Sequence, residues 1–169
     1  HPDPDLPGTV HRPDLAVTAR ADDTVAALSA TTPSATPWRD WTAAARADYL
    51  AWQVPKPTPG DVRMEDTIAW LSANLPPDAI LTNGAGNYAA FLHRYYRFHR
   101  HGTQLAPTSG SMGYGFPAAI AAKLQHPARA VVCLAGDGCF QMTLNEMSTA
   151  IQTGAAVIVA DGERDGVSA

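Results

Sequence analysis

Residues 130–152 read AVVCLAGDGCFQMTLNEMSTAIQ, and this stretch says most about the fold of the 169-residue chain. A short apolar run over residues 131–134 ends abruptly in Gly136-Asp137-Gly138. Buried strands of a parallel sheet have short, continuous apolar runs of this kind. Ligands of open α/β sheets bind just beyond the carboxyl ends of such strands. The stretch therefore predicts a buried parallel strand with a ligand site directly after it.

A helix is predicted after this turn. Thr143 and Glu146 have the T-x-x-E spacing of a capping box, and Gly154 is placed to end the helix. Leu144, Met147, Ala150 and Ile151 fall on one apolar face at helical spacing, and a second apolar run follows at residues 155–160. A strand, a turn, a helix and a strand in this order predict a βαβ unit with a right-handed crossover.

The turn itself has the residues expected of a Mg²⁺-diphosphate site. Gly136 and Gly138 let the backbone approach a ligand closely, and Asp137 between them offers a carboxylate to a hard cation. Gly-Asp-Gly turns are common, however, so this motif alone is a weak signal.

Two further motifs strengthen the signal. Residues 81–88 read LTNGAGNY and residues 109–124 read SGSMGYGFPAAIAAKL. Together with GDG and the F-x-M-T-x-x-E that follows, they resemble the diphosphate-binding domain of thiamine diphosphate (ThDP) enzymes, specifically the acetolactate synthase-like family. The three motifs span roughly residues 78–160, about half of the chain.

The resemblance implies an α/β fold: a three-layer open parallel sheet with helices on both faces, truncated here and preceded by an edge of the family's central domain. It implies ThDP and Mg²⁺ as cofactors, with Asp137 as a metal ligand. No catalytic side chain is assigned. The implied cofactor-binding residues come from three loops: Gly84, Ala85, Gly86 and Asn87; Gly110, Ser111 and Met112; Gly136, Asp137, Gly138 and Cys139.

Within that set, two residues have specific implied roles. By match to the family, the Gly110 carbonyl accepts a hydrogen bond from the cofactor's 4′-amino group, and Met112 props the cofactor into its bent shape. A core methionine is the alternative for Met112. Cys139 is expected to be a small residue facing the cofactor, with a reactive thiol as the alternative.

Two departures from the family pattern stand out. A second metal ligand, an asparagine, is expected about 27 residues after the motif aspartate, but Arg164 occupies that position and no asparagine follows Asn145. We therefore suspect an internal deletion or a damaged reading frame. The pyrimidine-binding domain, which supplies a catalytic glutamate from a partner subunit, is also absent from the sequence. We expect this chain alone to be inactive.

Composition excludes several classes of protein. A net charge of −4 provides no electrostatic basis for binding nucleic acid, and no apolar run approaches the length of a membrane span. The two cysteines, Cys133 and Cys139, form neither a disulfide framework nor a C-x-x-C zinc pattern, which favours reduced thiols and a cytoplasmic location. The chain starts with His1 rather than Met, so we expect it to be part of a longer polypeptide.

Three regions are predicted along the chain: residues 1–36 as the end of the central domain plus a linker, residues 37–160 as an incomplete ThDP-binding domain, and residues 161–169 as a tail after the suspected deletion. A short strand is predicted at residues 15–18. Helices are predicted at residues 22–30, 38–53, 64–74, 88–97 and from about residue 113, and sheet strands at residues 79–82, 130–134 and 155–160.

The family members act on 2-oxo acids as carboligases or decarboxylases and form homo-oligomers, and some hold FAD through the central domain, so the same is expected of the full-length protein. One alternative is a degenerate remnant that acts only as a weak cofactor-binding or interaction module. Another is an unrelated Rossmann-like nucleotide binder, although no G-x-G-x-x-G follows a strand. The basic segment over residues 92–101 is either an anion site or a solvated helix end; a metal pair at His99 and His101 is disfavoured.

Overall fold

The computed structural model describes residues 1–32, 34–60 and 62–161. The chain forms two compact units, residues 1–47 and the part from residue 48 onward. The helices are α1 (Ala21–Ser29), α2 (Arg39–Trp52), α3 (Met64–Asn74), α4 (Asn87–Tyr95), α5 (Gly115–Gln125), α6 (Asp137–Gln141) and α7 (Glu146–Thr153). The strands are β1 (Ile80–Asn83), β2 (Gln104–Leu105), β3 (Val131–Ala135) and β4 (Ile158–Asp161).

The second unit is built on a parallel four-stranded sheet in the order β2-β1-β3-β4. Leu81 lies opposite Val132 between the two central strands, and Cys133 lies opposite Val159 at the β3–β4 pair. The predicted parallel sheet is confirmed, with β1 and β3 each shifted by one residue. The third predicted strand begins only at Ile158, and β2 was missed because its two residues carry no apolar run.

Both faces of the sheet are covered by helices, because side chains of each central strand alternate between two cores. Leu81, Val132 and Leu134 pack with Ile68 of α3 and Leu92 of α4 on one face. On the other face, core residues of the strands pack with α5: Ile80, Val131 and Cys133 with Phe116, Ala119 and Ile120. Every residue of β1 and β3 is buried. The predicted α/β class with helices on both faces is therefore confirmed.

The predicted start of the helix after the GDG turn is wrong. The chain becomes helical at Asp137 itself, turns after Gln141, and starts α7 at Glu146. Thr143 caps no helix; its hydroxyl donates to the Gly113 carbonyl at 3.1 Å. No side chain caps α7, whose N-cap is Asn145. Gly154 does end the helix, in the left-handed conformation at φ 66° that glycine adopts at low cost.

The first unit contains α1 and the beginning of α2. Helix α1 lies one residue earlier than predicted and buries none of its residues. Residues 15–18 form no strand in the described part of the chain. Helix α2 also buries no residue, so its predicted apolar stripe, which includes Trp41, is exposed. An apolar stripe at helical spacing predicts a helix correctly here, but not the surface that would cover it.

No helix among the described residues is long and apolar enough to cross a membrane.

Candidate functional site

Three glycine-containing loops meet at the carboxyl edge of the sheet. The first, residues 84–86, follows β1 and leads into α4. The second, residues 109–113, precedes α5. The third, residues 136–138, follows β3 and opens α6. Since β1 and β3 are adjacent and parallel, the loops after them lie side by side, as the sequence predicted. We call the space between these three loops the cleft.

The side chain of Cys139 lies at the point where the three loops meet. Its sulfur accepts hydrogen bonds from the Gly113 backbone N–H at 3.2 Å and from the Tyr88 hydroxyl at 3.2 Å, and it lies 3.7 Å from the carbonyl of Ala85. Cys139 is 4 % exposed. Burial, together with the hydrogen bond to Cys139, raises the pKa of Tyr88 well above its ordinary value. The phenol therefore stays neutral and remains a donor to the sulfur.

Two glycines at the cleft are required by close contacts, one with side chains and one with backbone. A Cβ on Gly84 would overlap with the Cys139 sulfur and lie 2.9 Å from the Tyr88 hydroxyl oxygen. A Cβ on Gly115 would lie 2.9 Å from the Gly84 nitrogen, and the Gly115 carbonyl accepts a hydrogen bond from the Thr82 hydroxyl at 2.7 Å. The start of α5 is thus packed directly on the end of β1. A side chain at Gly84 would displace the Cys139 and Tyr88 side chains, and one at Gly115 would move the start of α5 away from the end of β1.

Met112 lies over the GDG turn and is half-exposed. Its Cε is 3.8 Å from the position that a Cβ on Gly138 would occupy, and 49 % of the residue is accessible. Met112 and Asp137 are therefore on the same cleft, as predicted. A core methionine, the alternative reading, does not fit this exposure. Ser111 and Ser109 hydrogen-bond to each other at 2.8 Å on the exposed part of the second loop.

Asp137 stands exposed in the first turn of α6, where its carboxylate accepts a hydrogen bond from the Gly138 N–H. Among the described residues, no group of three or more His, Cys, Asp or Glu side chains could hold a metal ion. Arg164, at the position expected for a second ligand, lies outside the described residues. The donor set visible at the cleft is therefore one carboxylate with backbone atoms around it.

Asn83 was not singled out from the sequence, yet it is placed at the base of the first loop. It is 1 % exposed, its amide donates to the Gly84 carbonyl at 2.8 Å, and its Oδ1 has no hydrogen-bond partner. A buried acceptor without a partner is costly, and a bound water, ion or ligand is one way to satisfy it. The available signal was a polar residue ending a continuous apolar run directly before a glycine.

The basic segment after residue 92 is explained in part by structure. Arg94 donates through Nε to the Trp52 carbonyl at 2.8 Å, and its guanidinium lies 4.6 Å from the Trp52 ring and 4.9 Å from the Tyr95 ring. This arginine therefore holds the end of α2 against α4 rather than facing solvent. Helix α4 ends at Tyr95, two residues before the predicted end.

Residues 84–160 match the family described as "Thiamine pyrophosphate enzyme, C-terminal TPP binding domain". The acetolactate synthase large subunit of Corynebacterium glutamicum is 34 % identical over 146 residues, which are 85 % of this chain and 23 % of that protein. Pyruvate oxidase of Lactiplantibacillus plantarum is 33 % identical over 163 residues, 89 % of this chain and 26 % of that protein. Sulfoacetaldehyde acetyltransferase of Rhodobacter capsulatus is 36 % identical over 115 residues, 66 % of this chain and 18 % of that protein.

Among solved structures, the thiamine diphosphate-dependent 4-hydroxybenzoylformate decarboxylase of Rhodococcus jostii RHA1 matches 63 % of this chain and 22 % of its own, with a TM-score of 0.53 and 28 % identity. The chain thus spans about a quarter or less of the length of these relatives. The matched residues include the β1 loop, the second loop and the GDG turn. The chain is a C-terminal, diphosphate-binding portion of a thiamine diphosphate enzyme of the acetolactate synthase-like family.

Proposed function

We propose that the cleft binds the diphosphate of thiamine diphosphate together with Mg²⁺. The observation that carries the proposal is the convergence of three glycine loops at one carboxyl edge, where the buried sulfur of Cys139, directly after the third loop, contacts the other two. A diphosphate needs close, uncovered backbone, since N–H groups and a cation must reach its oxygens. The family match over residues 84–160 supports the same ligand.

The residues present fit such a group. A Cβ on Gly138 would meet nothing nearer than the Met112 Cε at 3.8 Å, and a Cβ on Gly110 would meet nothing within 4 Å, so both backbones are open to a ligand. Gly84, Ala85, Gly86 and Asn87 would contact the diphosphate from the β1 side, and Gly136, Gly138 and Cys139 from the β3 side. The unpartnered Oδ1 of Asn83 is a further polar atom at the base of the cleft.

Asp137 would be the side-chain ligand of Mg²⁺. This cation is commonly held by one or two carboxylates, with phosphate oxygens and water completing its octahedron. One exposed carboxylate is therefore sufficient for a site, although a second protein ligand would strengthen it. On this basis we expect a weaker metal site than one with two protein ligands.

The second loop would hold the rest of the cofactor. The Gly110 carbonyl would accept a hydrogen bond from its amino group, Ser111 lies between this carbonyl and Met112, and Met112 would support its rings. When bound, thiamine diphosphate would supply nucleophilic and carbanion-stabilising chemistry. The contribution of these residues is to bind and orient the cofactor.

At the level of the whole protein, we propose a carboligase or decarboxylase of 2-oxo acids that works as a homo-oligomer. A pyrimidine-binding domain of a partner subunit would complete the cofactor site, residues 1–36 would close a central domain, and FAD could be held by that domain. The names of the relatives span synthase, oxidase, acetyltransferase and decarboxylase activities, so the reaction type stays at this coarse level. The free thiols of Cys133 and Cys139 accord with a cytoplasmic location.

Calorimetric titration of the purified chain with thiamine diphosphate, with and without Mg²⁺, tests the cofactor assignment. We expect Mg²⁺-dependent binding that Asp137→Asn weakens at least about tenfold, because a neutral amide replaces the ligating carboxylate. Asp23→Asn is the matched control, since Asp23 is also an exposed first-turn aspartate, in α1. Binding that is absent in wild type, or unchanged in Asp137→Asn, would contradict the assignment.

A pyruvate-consumption assay addresses turnover. We expect none from these 169 residues alone, because general acid–base assistance from a pyrimidine-domain glutamate commonly contributes ~10²–10⁴-fold. Glu65 does not replace it: this carboxylate is buried and is bonded to Thr58 at 2.7–2.9 Å. Turnover by the chain alone would show that another group performs this step.

A further inference from the structure

The sulfur of Cys139, which directly follows the GDG turn, makes hydrogen-bond contacts to the first loop, to the second loop and to the start of α4. It is reached by the Gly113 N–H from the second loop, by the Tyr88 hydroxyl from the beginning of α4, and by the Ala85 carbonyl of the first loop. Because Cys139 is 4 % exposed, water does not compete for these contacts. A single buried atom thus connects elements that are 26 to 54 residues apart in sequence.

The backbone N–H and the carbonyl of Gly113 are both hydrogen-bonded to the segment that follows the GDG turn. Its N–H donates to Cys139, and its carbonyl accepts from the Thr143 hydroxyl at 3.1 Å. Gly113 has φ 78°, and a Cβ there would lie 3.1 Å from Met142 and 3.2 Å from Thr143. The conformation and the space both require glycine. Since Met112 directly precedes this peptide, the same two contacts determine where Met112 lies over Gly138.

We infer that Cys139 is a positioning residue of the cleft: its buried thiol, with the Tyr88 hydroxyl, sets the spacing between the GDG turn, the first loop and Met112. The inference rests on the proposed function and deepens it. It gives the side chain of Cys139 a task separate from the backbone contact expected for this residue. It also replaces the reactive-thiol alternative, because the sulfur is enclosed and already engaged as an acceptor.

Hydrogen exchange of the Gly113 amide in the cofactor-free full chain tests the contact directly. In Cys139→Ala, the amide loses its acceptor, and we expect its protection to fall at least about tenfold. Cys139→Ser keeps a smaller acceptor and donor, so most of the protection should return. Cys133→Ala is the matched control, because Cys133 is a fully buried thiol of β3. Any change in Gly113 exchange in this variant should be no larger than its loss of global stability explains.

Cofactor affinity provides the second readout. We expect Cys139→Ala to weaken Mg²⁺-dependent thiamine diphosphate binding about tenfold, Cys139→Ser to restore most of it, and Cys133→Ala to leave it near wild type even if its melting temperature drops. A merely structural role would weaken binding in proportion to lost stability in both alanine variants. A loss confined to position 139 and rescued by serine indicates positioning.

The outcomes separate the two proposals. Unchanged Gly113 protection in a folded Cys139→Ala variant would overturn the positioning role, whatever the titrations show. Failure of wild type to bind thiamine diphosphate would overturn the proposed function, while the exchange experiment would still decide the role of Cys139. If Cys139→Ala does not fold, Tyr88→Phe removes one of the sulfur's two donors, and wild-type cofactor affinity together with wild-type Gly113 exchange in that variant would overturn the role.

Discussion

Strand β3 and the neighbouring α7–β4 region differ sharply in burial, although both are apolar in sequence. β3 is buried along its whole length, between β1 and β4 and under helices on both faces. β4 follows a similar apolar run, yet Ile158 is 58 % and Ile151 of α7 is 78 % exposed. Ile151 and its neighbours line an open apolar groove of about 410 Å³, formed by Phe116, Phe140, Met147, Ala150, Ile151, Gly154, Ala155, Ala156, Val157 and Val159.

The comparison shows what an apolar run can and cannot predict. The run at residues 131–134 and the run at residues 155–160 both predict strands. Burial depends on the elements that surround each strand: β3 has a neighbour on each side, whereas β4 pairs only with β3 among the described residues. We therefore expect β1, β3 and the helices that cover them, which we call the cleft side, to contribute most of the free energy of unfolding. The α7–β4 side should contribute little.

The largest effect should come from deleting core volume on the cleft side. Leu134 is fully buried in β3, so Leu134→Ala should reduce the free energy of unfolding by about 2–5 kcal/mol through lost burial and the cavity left behind. Ile151→Ala, on the exposed side of α7, should cost about 0.5 kcal/mol or less. Urea denaturation of both variants measures the difference. Equal losses would mean that the groove is closed in solution.

Alanine substitutions at two glycines of the cleft should give smaller losses of stability and test the same comparison in more detail. Gly84→Ala adds a methyl group against the Cys139 sulfur and the Tyr88 hydroxyl, and should destabilise the chain by about 1–3 kcal/mol. Gly138→Ala meets only the flexible end of Met112 and should lower stability by less than about 1 kcal/mol while weakening cofactor binding. Thermal melts and titrations separate these effects. The Gly84→Ala loss should shrink in a Cys139→Ala background, and an undiminished loss there would argue against the overlap.

A smaller effect than at Leu134 or Gly84 is expected from alkaline pH. Burial raises the pKa of the Cys133 thiol from 9.0 to about 11. The folded chain then binds more protons than the unfolded chain between these values, so stability is fully present below pH 9 and falls as the pH rises toward 11. At pH 10 the loss should be about 1 kcal/mol. Cys133→Ala should flatten this part of the pH profile, measured by urea denaturation from pH 8 to 10.5; an equal slope in both proteins would assign it to other groups.

The pKa of Glu65 is shifted downward rather than upward, so this group affects stability at acidic pH. Burial alone would raise the pKa of this carboxyl, but hydrogen bonds from backbone and from Thr58 leave it below its ordinary value. Its contribution to stability is therefore present above the unfolded-state pKa and lost as the pH falls through the folded-state pKa. The carboxylate thus joins the loop before α3 to the first turn of that helix at neutral pH.

The sequence by itself determined the central strands, their parallel arrangement and the loops at their carboxyl ends. The continuous apolar run before Gly136 is a local signal, since a strand buried on both faces favours apolar side chains at successive positions. The run before Gly84 is shorter and ends in the buried polar residues Thr82 and Asn83. The site assignment at Asp137 and Met112 came from the resemblance of the motifs to the ThDP enzyme family, and their role in cofactor binding stays a prediction. The length of α3 was also predicted to the residue, because Met64, Ile68 and Leu71 have helical spacing and prolines follow.

Only the tertiary structure decided the features that depend on distant parts of the chain. The capping box at Thr143 was wrong because its hydroxyl bonds to Gly113, 30 residues away, and the helix begins later. β2 exists because its backbone pairs with β1, not because of its side chains. The contacts of the Cys139 sulfur to Gly113, Ala85 and Tyr88 and the unpartnered oxygen of Asn83 are likewise invisible in sequence. Local patterns report backbone preference, whereas partners of polar atoms and covering of apolar faces are set by which elements the fold brings together.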